Sequence, residues 1–245
     1  MRILVVLPTA QGVYPAEAEQ RRIERVKSYS TPATQVEVGF PSERSGFHPM
    51  SRGGEATAYD LAQNHIRIAE RLIQAEQEGY DAASPFGMID FGVEIARSRV
   101  SIPIIGQTQA TYAMASMMCS RFGVISYRSS GHPMMRRQAT AYGFDHLISG
   151  WGAAEMSNAD MPSRRQELFD RFVSEGKRLV RDTGAELIVC HGMSMSPIEF
   201  PAMEYAEAIG VPVLEGLGCA IAMAEAWVRT GTPYSRIRHP NVERG

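Results

Sequence analysis

The sequence predicts an α/β protein of two similar lobes, each a parallel sheet flanked by helices. Three observations carry this expectation: short apolar runs closed by Pro, Gly or Ser, amphipathic segments between them, and a second round of the same alternation that starts near Phe122. Strands that alternate with helices form parallel sheets covered on both faces, with ligand loops at the carboxyl ends of the strands. A chain of 245 residues, 44% hydrophobic and 21% charged, is long enough for one large domain or two lobes. We divide it into a first lobe of residues 1–107 plus 213–245 and a second of residues 108–212.

Ile3 to Leu7, followed by Pro8-Thr9, reads as a buried first strand that opens into a polar loop. Glu17 to Tyr29 has helical spacing at Ile23 and Val26, and Gln35 to Phe40 alternates as a strand does. The Ser-, Gly- and Pro-rich stretch 41–54, which holds His48, is long for a connection and has the character of a lid. Thr57 to Glu78 is an amphipathic helix carrying Leu61, Ile66, Ala69, Leu72 and Ile73. Asp81 to Gly87 is expected to be a short strand and its loop, Val93 to Arg99 a helix, Ile102 to Gly106 a buried strand, and Gln107 to Cys119 a buried Met- and Ala-rich helix. The second round comprises a strand at Arg121–Ser126, helices at Arg136–Tyr142 and Pro162–Thr183, strands at Glu186–Val189 and Val211–Leu214, and a helix at Cys219–Arg229. The tail from Gly231 is polar and basic and is expected to be loosely held.

A formal charge of −2 and a pI near 6.3 give no broad positive field for nucleic acid, so none is expected as a partner. The apolar run after Met1-Arg2 is too short to be expected to act as a secretory signal, no apolar run approaches the roughly 20 residues needed to span a bilayer, and Cys119, Cys190 and Cys219 are odd in number and unclustered. A cytoplasmic protein without membrane partners is the expectation. The 14 methionines, Met114, Met117 and Met118 among them, read as core fillers, since no His or Cys spacing accompanies them; no metal is expected. Ala10-Gln11-Gly12-Val13-Tyr14 is too poor in glycine to cradle a pyrophosphate, so a nucleotide cofactor is not expected either.

Five stretches carry a resemblance. Ile102-Pro103-Ile104-Ile105-Gly106, Ala115-Ser116 and Arg121-Phe122-Gly123-Val124-Ile125-Ser126 resemble the central signature of hydantoin racemases, a P-V-I-G-type strand and an A-x-x-x-A helix before an R-F-x-V-x-T strand. Gly184 to Met193 resembles a later G-A-E-x-I-V-x-G-C-x-G-M segment, and Gly210 to Gly216 resembles G-V-P-V-I-D-G. The resemblance covers most of the chain from Asp81 onward and identifies it as similar to the aspartate/glutamate/hydantoin racemase superfamily. It implies two lobes related by a pseudo-twofold axis, a small carboxylate or hydantoin bound in a cleft between them, no cofactor, and a homo-oligomer. It also implies proton transfer by a cysteine from each lobe, one on each side of the substrate carbon. Racemisation needs a base on one face and an acid on the other, and a thiol with a pKa of about 8.5 can be tuned to either task.

The residues depart from that pattern. The family's first cysteine sits in a C-F-G-D-like turn; here Ser84-Pro85-Phe86-Gly87 stands there, and Pro85 has no proton to exchange. Ser84, Asp90 or His48 are the candidates to replace it. Aligned by C-x-G-M, Cys190 is the second cysteine, with Gly192 and Met193 in place; aligned without a gap from Gly184, Gly192 takes that position and Cys190 lies inside the strand, as a small hydrophobe would. His191 can act in either register, or serve as a hydrogen-bonded structural residue. The expected catalytic residues are therefore Cys190 and His191. Thr9 and Ser126 end the first strands of the two lobes, where they suit either a substrate carboxylate or an ordinary turn. Tyr127, Arg128 and His132 follow in a Gly/Ser-rich loop, which suits either a cation for an acidic substrate or an ordinary surface loop, and Glu215 stands at an interlobe turn; the expected substrate-binding set is Thr9, Ser84, Pro85, Phe86, Gly87, Ser126, Tyr127, Gly192, Met193 and Glu215. Cys119 and Cys219 read as packing residues. The expected function is a cofactor-independent racemase or isomerase of a hydantoin, amino acid or related small carboxylate. The alternatives are a malonate-type decarboxylase with a single cysteine as proton donor, for which the apolar run Pro85-Phe86-Met88-Ile89-Phe91 would suit the departing carboxylate, and a silent binding homologue.

Overall fold

The computed structural model describes residues 1–43 and 57–240, and His48 lies outside them. The chain falls into two compact units: among the described residues, one comprises 1–43, 57–107 and 220–240 and the other 108–219. Each is a parallel sheet flanked by helices.

In the first unit, strands β1 (Arg2–Val6), β2 (Gln35–Gly39) and β3 (Ala82–Pro85) pair in the order β2-β1-β3. Helices α1 (Ala16–Lys27) and α2 (Ala58–Gln77) connect them, and α3 (Val93–Arg97) follows β3. The apolar face of α2, with Ile68 and Leu72, packs with Leu4, Val6, Ala83, Val93 and Ile104. Thr57 and Asp60 close a capping box at the start of α2, Thr57 Oγ1 accepting from the Asp60 N–H at 3.2 Å and the Thr57 N–H donating to the carboxylate at 3.0 Å. The strand expected at 102–106 is instead a single bridge from Ile104 to Ala83. Pro103 lacks the N–H that a longer ladder would need, and the chain turns at once into helix α4 (Gln107–Met118). That helix is buried only over its first turns, since Met117 is 74% and Met118 52% exposed, so these two are not core fillers. The tail is not loose as far as Pro240. Tyr234 is buried and its Oη accepts from the Ile104 N–H, while Arg236 reaches the Val100 carbonyl at 3.2 Å and Arg238 pairs with Glu94 at 3.3 Å.

In the second unit, strands β4 (Phe122–Ser126), β5 (Ile148–Ala153), β6 (Leu187–His191) and β7 (Val213–Glu215) pair in the order β5-β4-β6-β7. β7 thus belongs to this sheet, and the chain returns to the first unit at Ala220, within helix α8 (Gly216–Thr230), and not at Val213. Helices α5 (His132–Tyr142), α6 (Arg165–Thr183) and α7 (Ala202–Ile209) complete the unit, α5 starting four residues before the stretch expected from sequence. Leu168, Phe172 and Leu179 of α6 and Tyr205 and Ile209 of α7 form the core with Ile125, Ile188 and Cys190. α6 comes very close: ideal Cβ atoms at Gly123 and Gly150 would lie 2.9 and 2.7 Å from Leu179 side-chain atoms. No described helix is long and apolar enough to cross a membrane.

Gly92 caps α3 at φ +74°, and its N–H donates to His65 Nδ1 at 3.1 Å. A Cβ there would meet the Ala69 backbone nitrogen at 2.5 Å. Gly92→Ala is expected to cost about 3 kcal/mol in urea denaturation, from a left-handed backbone plus a clash with backbone that cannot give way.

Candidate active site

Register decides which side chains meet at the carboxyl edge of the second sheet. Ile125 pairs with Cys190 and Ser126 with His191, so 125 and 190 leave the sheet on one face and 126 and 191 on the other. The Cys190 face is the one that α6 and α7 cover. Cys190 is 0% exposed, and its Sγ reaches the Gly192 carbonyl at 3.6 Å. Burial first, then the charge of Glu215, pushes its thiol well above the usual range, against the pull of backbone groups at Ser196 and Gly192. The side chain is a protonated core residue.

His191 is 2% exposed, and burial pushes its pKa down to about 4, so the imidazole is neutral at pH 7. Its Nε2 is enclosed without a hydrogen-bond partner. A buried polar atom left unpaired costs free energy comparable to a lost hydrogen bond, which a ligand or water at that atom would restore. Beside it, Ser126 donates to the Arg128 carbonyl at 3.1 Å and lies 3.0 Å from His132 Nε2, which is also 3.2 Å from the Gly152 carbonyl. The Gly152 oxygen can only accept, so Nε2 carries the hydrogen, and His132 serves as a donor that ties β4 to β5. Glu215 is engaged too, its two carboxylate oxygens accepting the Leu217 and Gly218 N–H groups at 2.7 Å each at the start of α8.

Gly192 follows His191 and meets Tyr127. An ideal Cβ at Gly192 would lie 2.5 and 2.6 Å from Tyr127 Cε1 and Cζ and 2.8 Å from Met195 Cε, so only glycine fits beneath the ring. The Tyr127 oxygen accepts the Ser194 N–H at 2.9 Å, and Met193 is buried in the same turn.

The first unit has its own strand-end cluster. Thr9 follows β1 with its hydroxyl oxygen buried and unpartnered. Ser84 donates to the Pro85 carbonyl at 3.2 Å, and Pro85 ends β3 opposite Val6. The Phe86 N–H reaches the Val6 carbonyl at 2.7 Å, and Gly87 donates to Gln107 Oε1 at 2.9 Å. Phe86, Met88 and Phe91 are buried. Asp90 sits at φ +54° with its carboxylate against Gly106 at the start of α4, where a helix N-terminus favours negative charge. Sequence reasoning passed over Gln107 and His65, which fasten this loop at separations of 20 and 27 residues that no local pattern reveals. Among the described residues, no group of three or more His, Cys, Asp or Glu is placed to hold a metal ion.

The model of the Asp/Glu/Hydantoin racemase family matches residues 22–224. The chain belongs to this family. It is 29% identical over 242 residues to a hydantoin racemase of Rhizobium meliloti, covering 97% of this chain and 92% of the relative. An allantoin racemase structure from Pseudomonas fluorescens superposes with a TM-score of 0.83 at 20% identity, over 100% of this chain and 98% of that one. A crystal structure of arylmalonate decarboxylase gives 0.60 at 14% identity, over 96% of each chain. These structures share the α/β fold with this racemase-family chain.

Two measurements follow from the site of this family member. Cys190 and Cys219 are buried and Cys119 partly exposed, so a thiol reagent should label Cys119 alone in the native protein and all three in denaturant; rapid native labelling of Cys190 would refute its placement. The pKa of His191 is lower folded than unfolded, so the unfolded state takes up the proton first and stability is lost as pH falls below the unfolded value. Between about pH 7.5 and 4, the wild type should lose roughly 3 kcal/mol more stability than His191→Gln, read by urea denaturation at each pH.

Proposed function

We propose that this protein is a cofactor-independent racemase that moves a proton at the acidic carbon of a hydantoin, an amino acid or a related small carboxylate, with His191 as an acid/base. The observation that carries this reading is the neutral imidazole at the end of the central strand β6, with Nε2 enclosed and unpartnered. A carboxylate or enolate beside that nitrogen would favour its charged form and raise its pKa toward neutrality, which suits a group that takes a proton and gives it back. Family membership supports the reaction class, and the names of the hydantoin and allantoin racemases support a substrate with an acidic carbon next to a ring carbonyl. Cys190, turned into the core, takes no part in the chemistry. We assign substrate oxygens to the turn from Gly192 to Ser194, with Ser126 and Tyr127 shaping that strand end and Glu215 holding α8.

A second reading, decarboxylation of a substituted malonate, is favoured by the buried apolar side chains Phe86, Met88 and Phe91. One assay separates the two: proton NMR in D₂O with 5-benzylhydantoin, allantoin, free amino acids and phenylmalonate, following both C–H exchange and carbon dioxide release. Exchange at a ring or amino-acid carbon is expected, reduced about 100-fold or more in kcat by His191→Gln and changed less than about threefold by Cys190→Ala. Release of carbon dioxide without exchange on the other compounds would establish the decarboxylase. Loss of turnover in Cys190→Ala with His191→Gln active would reverse the assignment, and no turnover on any compound would mark a binding protein.

A further inference from the structure

A racemase must return the proton from the side opposite to the one that removed it, so a single imidazole does not complete the reaction. Resting on the proton-transfer reading above, we infer that Tyr127 is the second proton-exchanging group, acting on the opposite side of the same strand end from His191. Three observations lead there.

The first is direction. His191 and its register partner Ser126 leave the sheet on one face, whereas the Tyr127 ring packs against the cluster on the other, the face of Ile125 and Cys190. The second is placement. The phenol end of Tyr127 takes the room that a side chain at position 192 would need, directly after His191, with Cε1 and Cζ 2.5 and 2.6 Å from the ideal Cβ. The third is electrostatic support. The Tyr127 oxygen already accepts the Ser194 backbone N–H at 2.9 Å, a donor that strengthens as the oxygen becomes negative and so stabilises a phenolate. The other groups at this edge are engaged elsewhere: Ser126 donates to a carbonyl, His132 ties two strands, Glu155 accepts the Ser129 N–H at 3.0 Å, Glu215 caps α8, and Cys190 faces the core.

The step balances. The C–H bond breaks with its proton passing to His191 Nε2, and its electron pair moves into the adjacent carbonyl, giving an enolate and an imidazolium. The enolate carbon then takes the Tyr127 O–H proton on its other face, leaving a phenolate held by the Ser194 N–H. Transfer of the imidazolium proton to the phenolate through solvent restores both groups. In the reverse direction the solvent-mediated transfer comes first, from the phenol to the imidazole; the Tyr127 phenolate then removes the proton and the His191 imidazolium returns one.

Tyr127→Phe keeps the ring on Gly192 and removes the hydroxyl, both its proton and the acceptor of the Ser194 N–H, so the packing of the ring is preserved. The probe is L-5-benzylhydantoin in D₂O, or the compound of the same panel that the wild type turns over fastest, with loss of the C–H signal and loss of optical activity followed together. The wild type should show exchange and inversion in step. Tyr127→Phe should lose inversion by about 100-fold or more with KM within about threefold, while His191 still exchanges the C–H with retention of configuration. That uncoupling is a signature that a purely structural residue would not give. Inversion within about threefold of wild type, or exchange and inversion lost in parallel, overturns the role of Tyr127 while leaving the racemase reading intact. A wild type that neither exchanges nor inverts any compound overturns the reading of function and this inference with it.

Discussion

Helix α6 lies so close to the second sheet that Gly123 and Gly150 have no room for a side chain under Leu179, and this contact governs what the sheet can offer at its edge. With Leu168, Phe172 and Leu179 pressed onto one face, every residue of β4 and β6 that points that way is core. Side chains alternate with a period of two along a strand, so the face taken by packing fixes the face left for polar groups. Ile188 and Cys190 fall on the packed side, and His191 and Ser126 on the other.

The same closeness shapes the electrostatics. A thiol inside a packed apolar layer stays protonated, because a thiolate there would have neither solvent nor a cation. An imidazole one residue later is also held neutral by burial, but for a histidine that leaves the basic form, with a lone pair ready to accept. Burial therefore leaves Cys190 as a protonated thiol and His191 as a neutral imidazole.

Much of the fold was legible in the sequence because its signals are local. β1 is a β-branched run stopped by Pro8, and α2 carries a capping box and a clean apolar face. The parts that were not legible depend on partners distant in the chain. β5, Ile-Ser-Gly-Trp-Gly-Ala, has neither alternation nor β-branched density, and it is a strand because its glycines admit α6 beside β4. Ile102 to Gly106 has the composition of a strand and makes a single bridge. At the site, the sequence drew attention to residues 190–193 but left their register open. The direction of Cys190 follows from the phase of Ile188 and Ile125, which only the pairing of β4 with β6 reveals. The reason for Gly192 lies in the ring of Tyr127, 65 positions earlier, and local pattern does not reach that far.

The two units also differ in how the chain delivers them. The second is one continuous stretch, residues 108–219, whereas the first is assembled from segments on both sides of it and includes α8 beyond Ala220 and the tail at Tyr234, which fastens Ile104. During synthesis from the N-terminus, all strands of the second sheet are made before the last segment of the first unit. Of the two units, the one whose synthesis starts earlier is completed later. Until translation reaches Tyr234, the bridge between Ile104 and β3 lacks its clasp, so completion of the first unit waits for a segment made after every strand of the second.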